Sequence, residues 1–267
     1  MKTPRFLIGV VAIVATVSAL QAGQARGGGA QQAARAAAPV DLTGYWVAVV
    51  SEDWRHRIAT PRKGDYESVT AVMNAEGRRV ADSWDLDKDN ASGLQCKAFG
   101  VGGIVRQPGR IHITWQDDNT LRLDADAGTQ TRLFRFGPPQ PPGPPQMAGR
   151  AQPAGSRTWQ GESVAQWETT GGGRGAAPVP APGASLRVVT RNMRAGYLRK
   201  NGVPYSEDAV LTEHFTVAPI PSGGQTLVVT SVVQDPRYFP QPFVVSSVFK
   251  KQADASGWDP TPCSATW

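Results

Sequence analysis

The ionisable residues best placed for chemistry lie in three separate segments. From Ala209 to Val217 the pattern alternates, and one face carries Ala209, Leu211, Glu213, Phe215 and Val217, which sets the carboxyl of Glu213 among apolar neighbours. A carboxylate so placed must be paired, hydrogen-bonded or protonated. Left unpaired, it would titrate closer to neutrality and serve as an acid or base; paired with one of the chain's arginines, it would be structural. The second segment, Glu52-Asp-Trp-Arg-His-Arg57, packs acid, aromatic, base and imidazole into six residues just after a strand. There His56 could act as a general base, with Trp54 and Arg55 gripping an anionic or aromatic ligand, or the segment could be a polar loop anchored by its Trp. The third runs from Gly196 to Glu207: Tyr205 could donate a proton to a ligand oxygen while Arg199 and Lys200 hold a carboxylate. Its alternative is an Asn201-Gly202 turn flanked by solvated charges. His112 and His214 fall opposite the apolar positions of their strands and are expected to face solvent.

Other signatures fail on inspection. Asp85-x-Asp87-x-Asp89 resembles the start of a calcium loop, but Asn90 stands where Gly is needed and Cys96 where Glu is needed. His-Glu-x-x-His, Cys-x-x-Cys, Gly-x-Ser-x-Gly and phosphate-binding glycine motifs do not occur. The residues therefore argue for neither a metal ligand set nor a cofactor. Cys96 and Cys263 flank most of the chain and are expected to form a disulfide in an oxidising compartment.

That compartment follows from the amino terminus. Lys2 and Arg5 precede an apolar run from Phe6 to Leu20, with small residues at Gly23 and Ala25, the layout of a signal peptide over residues 1–25. The run is shorter than the roughly 20 apolar residues of a spanning helix, so a periplasmic or secreted product with no membrane span after cleavage is expected. Residues 26–40, almost all Ala, Gly, Gln and Arg, read as a flexible lead. The net charge of +6 falls to +2 once the four basic residues of positions 1–40 are set aside. Basic residues beyond that point are interspersed with acidic ones, which argues against nucleic acid as a partner.

To position these residues the chain offers strands. Ile111, Ile113 and Trp115 alternate with polar residues, a turn follows at Asp117-Asp118-Asn119, and two further strands run over 120–126 and 129–136. Similar runs recur at 42–50, 158–168, 186–192, 209–217, 226–234 and 243–250. Roughly nine or ten strands with hairpin-length connections predict an all-β fold, an antiparallel meander closing into a lipocalin-like barrel. One short helix is expected from Ala75 to Trp84, capped by Asn74, leaning on the barrel or plugging one end, although Gly77 weakens it. Residues 41–267 read as a single domain with Pro/Gly-rich insertions at 137–155 and 171–184, a split into two domains at Gly137 being the alternative.

Two resemblances add to this. Asp41-Leu-Thr-Gly-Tyr-Trp46 resembles the Gly-x-Trp start of lipocalins, which implies a barrel with a Trp at its closed end. Arg157-Thr-Trp-Gln-Gly161, Ala165-Gln-Trp-Glu168, Leu186-Arg-Val-Val-Thr190, Tyr205-Ser-Glu207, Leu211-Thr-Glu-His-Phe215 and Asp235-Pro236 with Pro242-Phe243 are similar in order to an uncharacterised family of secreted bacterial proteins. That resemblance implies export and a β-fold without an activity, and members join the Trp-Glu pair to the next strand by a short turn where this chain has 169–184. The leading expectation is a binding protein for a small, partly apolar molecule held inside the barrel, with Trp54, Trp84 and Trp115 lining or closing the space. Its rivals are a cofactor-independent lyase, isomerase or hydrolase using Glu213, His56 and Tyr205, and an envelope interaction module whose insertions are contact surfaces.

Overall fold

The computed structural model describes residues 32–67, 69, 71–137, 157–169, 184–221 and 223–265. The signal peptide and nearly all of both insertions lie outside the described residues. The strands are β1 (Gly44–Val49), β2 (Arg110–Asp117), β3 (Thr120–Ala125), β4 (Gln130–Phe136), β5 (Glu162–Glu168), β6 (Ser185–Arg191), β7 (Gly196–Tyr197), β8 (Pro204–Tyr205), β9 (Val210–Pro219), β10 (Gln225–Gln234) and β11 (Phe243–Lys251). Nine of them close into a barrel in the order β1-β11-β10-β9-β6-β5-β4-β3-β2, while β7 and β8 pair separately. The all-β barrel expected from the alternation is thus the fold. Among the described residues no helix is long and apolar enough to cross a membrane.

Closure follows from period-two burial. On β10 Leu227, Val229, Ser231 and Val233 are buried and the residues between them are not; on β2 Ile111 and Ile113 point in. An odd ring cannot alternate direction at every step, and the one parallel neighbour pair is β4 with β5, Phe134 opposite Ser163. β4 and β5 therefore begin at the same end of the barrel, and the meander is antiparallel everywhere else in the ring.

This arrangement gathers the connections 50–109, 192–209 and 235–242 at one end, where they form a cap with its own apolar cluster, including Tyr66, Val69, Leu198, Tyr205, Tyr238 and Phe239. Two short helices belong to the cap, α1 (Ala75–Asp82) and α2 (Leu86–Ala91). Asn74 caps α1 as expected, its side chain accepting from the Gly77 amide at 2.8 Å. Gly77, read from sequence as a weakness, is the point of closest approach: a Cβ there would lie 3.0 Å from the Tyr238 carbonyl.

The opposite end is closed by aromatics. Trp115, Phe136 and Trp167 pack with ring centroids 5.3–6.4 Å apart, and the Trp167 indole donates to the Ala34 carbonyl at 2.9 Å. Arg35 donates its backbone N–H to Asp118 at 3.0 Å. The lead expected to be flexible to residue 40 is instead fastened from Ala34 onward, because the barrel end supplies the partners its own composition lacks. From β11 the chain runs back to the cap, where Thr261 donates to the Asp126 carbonyl at 3.0 Å and Cys263 is bonded to Cys96 across 167 residues.

A crosslink closing so long a loop stabilises mainly by restricting the unfolded chain. Replacing both cysteines by serine should lower the unfolding free energy by about 2–5 kcal/mol, read as a shifted urea midpoint, and reductant should then have no further effect on the variant.

Candidate functional site

The barrel closes around side chains rather than around a guest. Trp46, Ile113, Leu123, Phe134, Phe215 and Phe249 are buried in one cluster that also takes in Phe99, Ile104 and Val105 from the cap. Glu213 points inward as its alternation requires and is 0% exposed. Its carboxylate is held by Arg132 of β4, through Nη1 to Oε1 at 3.1 Å and Nη2 to Oε2 at 2.5 Å. Arg132 also reaches Thr190 Oγ1 at 3.4 Å, which pairs with Ser163 at 2.8 Å. A carboxylate with both oxygens committed to a guanidinium is an anchor, and the structural alternative for Glu213 is the one the fold realises.

The cap assembles the other two segments. Asp53 adopts a left-handed backbone, φ 50°, unusual for a residue with a Cβ, and this turns its side chain toward three partners. Its Oδ1 lies 2.8 Å from His56 Nδ1, and Oδ2 accepts from Arg106 at 2.5 Å and from Arg199 at 3.1 Å. Burial pushes the Asp53 carboxyl up, but Arg199 and Arg106, with the His56 contact, outweigh it and hold the group below its ordinary value. Arg199 was expected to hold a carboxylate, and it does, but the carboxylate is the protein's own. Arg57 is buried alongside, donating to the Arg106 carbonyl at 2.8 Å and pairing with Glu52. Burial, aided by the charge of Arg57, pushes the Lys200 ammonium down to about 8.

Beside this cluster lies a cleft of about 220 Å3 between α1, α2 and the β7 and β8 segment. Its polar centre is a triangle. Lys97 Nζ donates to Asp89 Oδ1 at 2.6 Å and to the Tyr197 hydroxyl at 3.2 Å, and that hydroxyl donates to Asp89 Oδ2 at 2.7 Å. Burial, reinforced by Asp89, makes the Tyr197 hydroxyl harder to ionise, so it remains a donor. Tyr205 and Tyr238 add aromatic wall, and Asp85 and Lys88 supply charge at the α2 side. The Tyr205 ring is pressed into a glycine cradle: a Cβ on Gly100 would stand 2.2 Å from its oxygen and one on Gly196 2.6 Å. Burial pushes the Tyr205 hydroxyl up as well. A smaller hollow next to the cleft is bordered by Trp84, Lys97 and Lys200.

The residues picked out by sequence are therefore distributed. His56 and Arg199 meet at Asp53, with Lys200 close to Arg57; Tyr205 borders the cleft and Trp84 its neighbouring hollow. Glu213 is paired with Arg132 and His56 with Asp53, so the structure places the two in different polar clusters. Trp54 is 57% exposed and Arg55 pairs at the surface with Glu67, at 3.1 Å, which removes both from any enclosed space. Trp115 belongs to the aromatic closure of the far end. His112 is partly covered by Tyr45, stacked at 3.9 Å, and His214 contacts Glu168 at 2.9 Å.

Asp53, Arg106, Asp89, Lys97 and Tyr197 carry the polar chemistry and were not singled out. Three faint signals existed: the Glu52-Asp-Trp-Arg-His-Arg57 segment contains Asp53, the Tyr-rich 196–207 segment contains Tyr197, and the failed calcium pattern contains Asp89. Asp85 of that pattern caps α2, accepting from the Lys88 amide at 3.0 Å. The chain matches no family model, no curated protein and no solved structure.

Replacing Arg132 with Met strands a buried carboxylate and should cost about 3–5 kcal/mol in urea unfolding, whereas a combined Arg132→Met and Glu213→Leu variant should recover most of it. The depressed Lys200 gives a pH signature. Above about pH 8 the folded lysine has released a proton that the unfolded chain still binds, so stability relative to a Lys200→Met variant rises with pH toward the ordinary lysine range. Thermal unfolding of both proteins from pH 7 to 10 measures this.

Proposed function

We propose that this is an exported binding protein whose small, partly apolar ligand occupies the cleft at the capped end rather than the barrel interior. The observation that carries the reading is the Lys97, Asp89 and Tyr197 triangle set in a cleft of about 220 Å3 with Tyr205 and Tyr238 as walls. That volume is several times the roughly 30 Å3 share of a liquid water and below the roughly 300–1,000 Å3 of pockets for drug-sized ligands, so the ligand is compact. Lys97 has three N–H donors, two of them spent on Asp89 and Tyr197. The third is available to an acceptor on the ligand, with the aromatic walls taking its apolar body. Burial makes the Tyr197 and Tyr205 hydroxyls harder to ionise, and with the Tyr197 proton held by Asp89 the cleft tyrosines serve as packing surfaces, which favours binding over proton transfer. The disulfide fits the export reading, since such bonds persist in oxidising compartments, and because Cys96 adjoins Lys97 it also fixes the segment that presents it.

A set of small aromatic carboxylates screened by ligand-observed NMR tests the proposal. Binding should fall about tenfold or more in Lys97→Met, the loss of one charge-assisted hydrogen bond, and in Tyr238→Ala, but persist in Trp115→Leu. Hits that bind all four proteins equally would place the ligand elsewhere, and the reading would fail.

A further inference from the structure

A second site, separate from the cleft, lies on the outer side of the Asp53 cluster. A ring nitrogen of His56, an Asp65 carboxylate oxygen and a Glu67 carboxylate oxygen all come within 4.8 Å of one another. His56 is only 6% exposed. Its Nδ1 faces Asp53 Oδ1 at 2.8 Å, and the same carboxylate is ion-paired with Arg106 at 2.5 Å and Arg199 at 3.1 Å. Asp53 can then only accept, so Nδ1 carries the hydrogen. In the neutral ring this leaves the Nε2 lone pair directed at Asp65 Oδ1, 3.5 Å away. Two lone pairs facing each other at that separation need a cation between them or a proton on the ring.

We propose that His56, Asp65 and Glu67 bind a divalent transition-metal ion, with Asp53 as the carboxylate that orients the histidine. One imidazole nitrogen and two carboxylate oxygens suit zinc or manganese, and a carboxylate behind a ligating histidine is the usual means of fixing its tautomer. The nearest buried arginines are engaged with other carboxylates. Asp53 answers Arg106 and Arg199, and Glu52 answers Arg57. Glu67 exchanges Arg55, an exposed pair of small worth, for the ion. Asn201 holds the Asp65 backbone carbonyl at 2.8 Å and Arg199 that of Glu67 at 2.7 Å, so the loop bearing both acids is pinned before any ion arrives. Three protein ligands leave at least one coordination position for water or an oxygen ligand.

Zinc titrated calorimetrically into tag-free, disulfide-intact protein tests this, with cobalt absorption reporting the ligand field. Glu67 is 65% exposed, so Glu67→Gln folds normally and should weaken zinc binding about tenfold; Asp53→Asn should weaken it roughly 10–100-fold, and His56→Ala should abolish it. His214→Ala, which removes the other histidine beside a carboxylate, should leave affinity unchanged. Zinc affinity that survives Glu67→Gln and His56→Ala, or that disappears with His214, overturns the site. Aromatic carboxylate binding in the cleft is read separately, so either proposal can fail without the other.

Discussion

The structure depends on a constraint of counting: nine strands in a closed ring cannot all be antiparallel to their neighbours. One parallel step between β4 and β5 satisfies it, and every other connection is then assigned to an end. The segments 50–109, 192–209 and 235–242 fall at the same end, where none could bury its apolar residues alone. Together they make a second core with Tyr66, Leu198, Tyr205 and Phe239. The polar sites belong to this cap, and the barrel is the frame that brings its pieces into register.

Within the cap, charge is managed by a small number of carboxylates. Asp53 answers Arg106 and Arg199 and touches His56, joining the loop after β1, the approach to β2 and the connection after β6. Such a group is costly to bury unless fully paired, and its left-handed backbone shows local conformation yielding to that pairing. Asp89 does similar work for Lys97 and Tyr197. The barrel interior uses the same device once, in Arg132 and Glu213, where its effect is to fill space and fix strand register.

How far the sequence disclosed this differs by level. Strand positions were legible because side chains alternate: Ile111 and Ile113 announce β2, and Leu211, Glu213 and Phe215 announce the inward face of β9. That Glu213 points inward was legible, but its partner was not, since Arg132 lies 81 residues away on a strand with two arginines. Alternation says which face is inside and nothing of the volume left there. A barrel of about eight strands is only just filled by its own side chains, and this one buries residues as large as Trp46, Phe134 and Phe215 in a single cluster. The cap contacts were opaque for another reason: Asp53 meets Arg106 and Arg199 across 53 and 146 residues, through loops without a period.

The crosslink between Cys96 and Cys263 also orders events in time. Lys97 sits next to the first cysteine, yet the second follows 167 residues later. The covalent tie on the segment bearing Lys97 therefore cannot form until almost the whole chain has been made. Covalent restraint of the segment behind the cleft thus needs an oxidant as well as the carboxy-terminal residues in place.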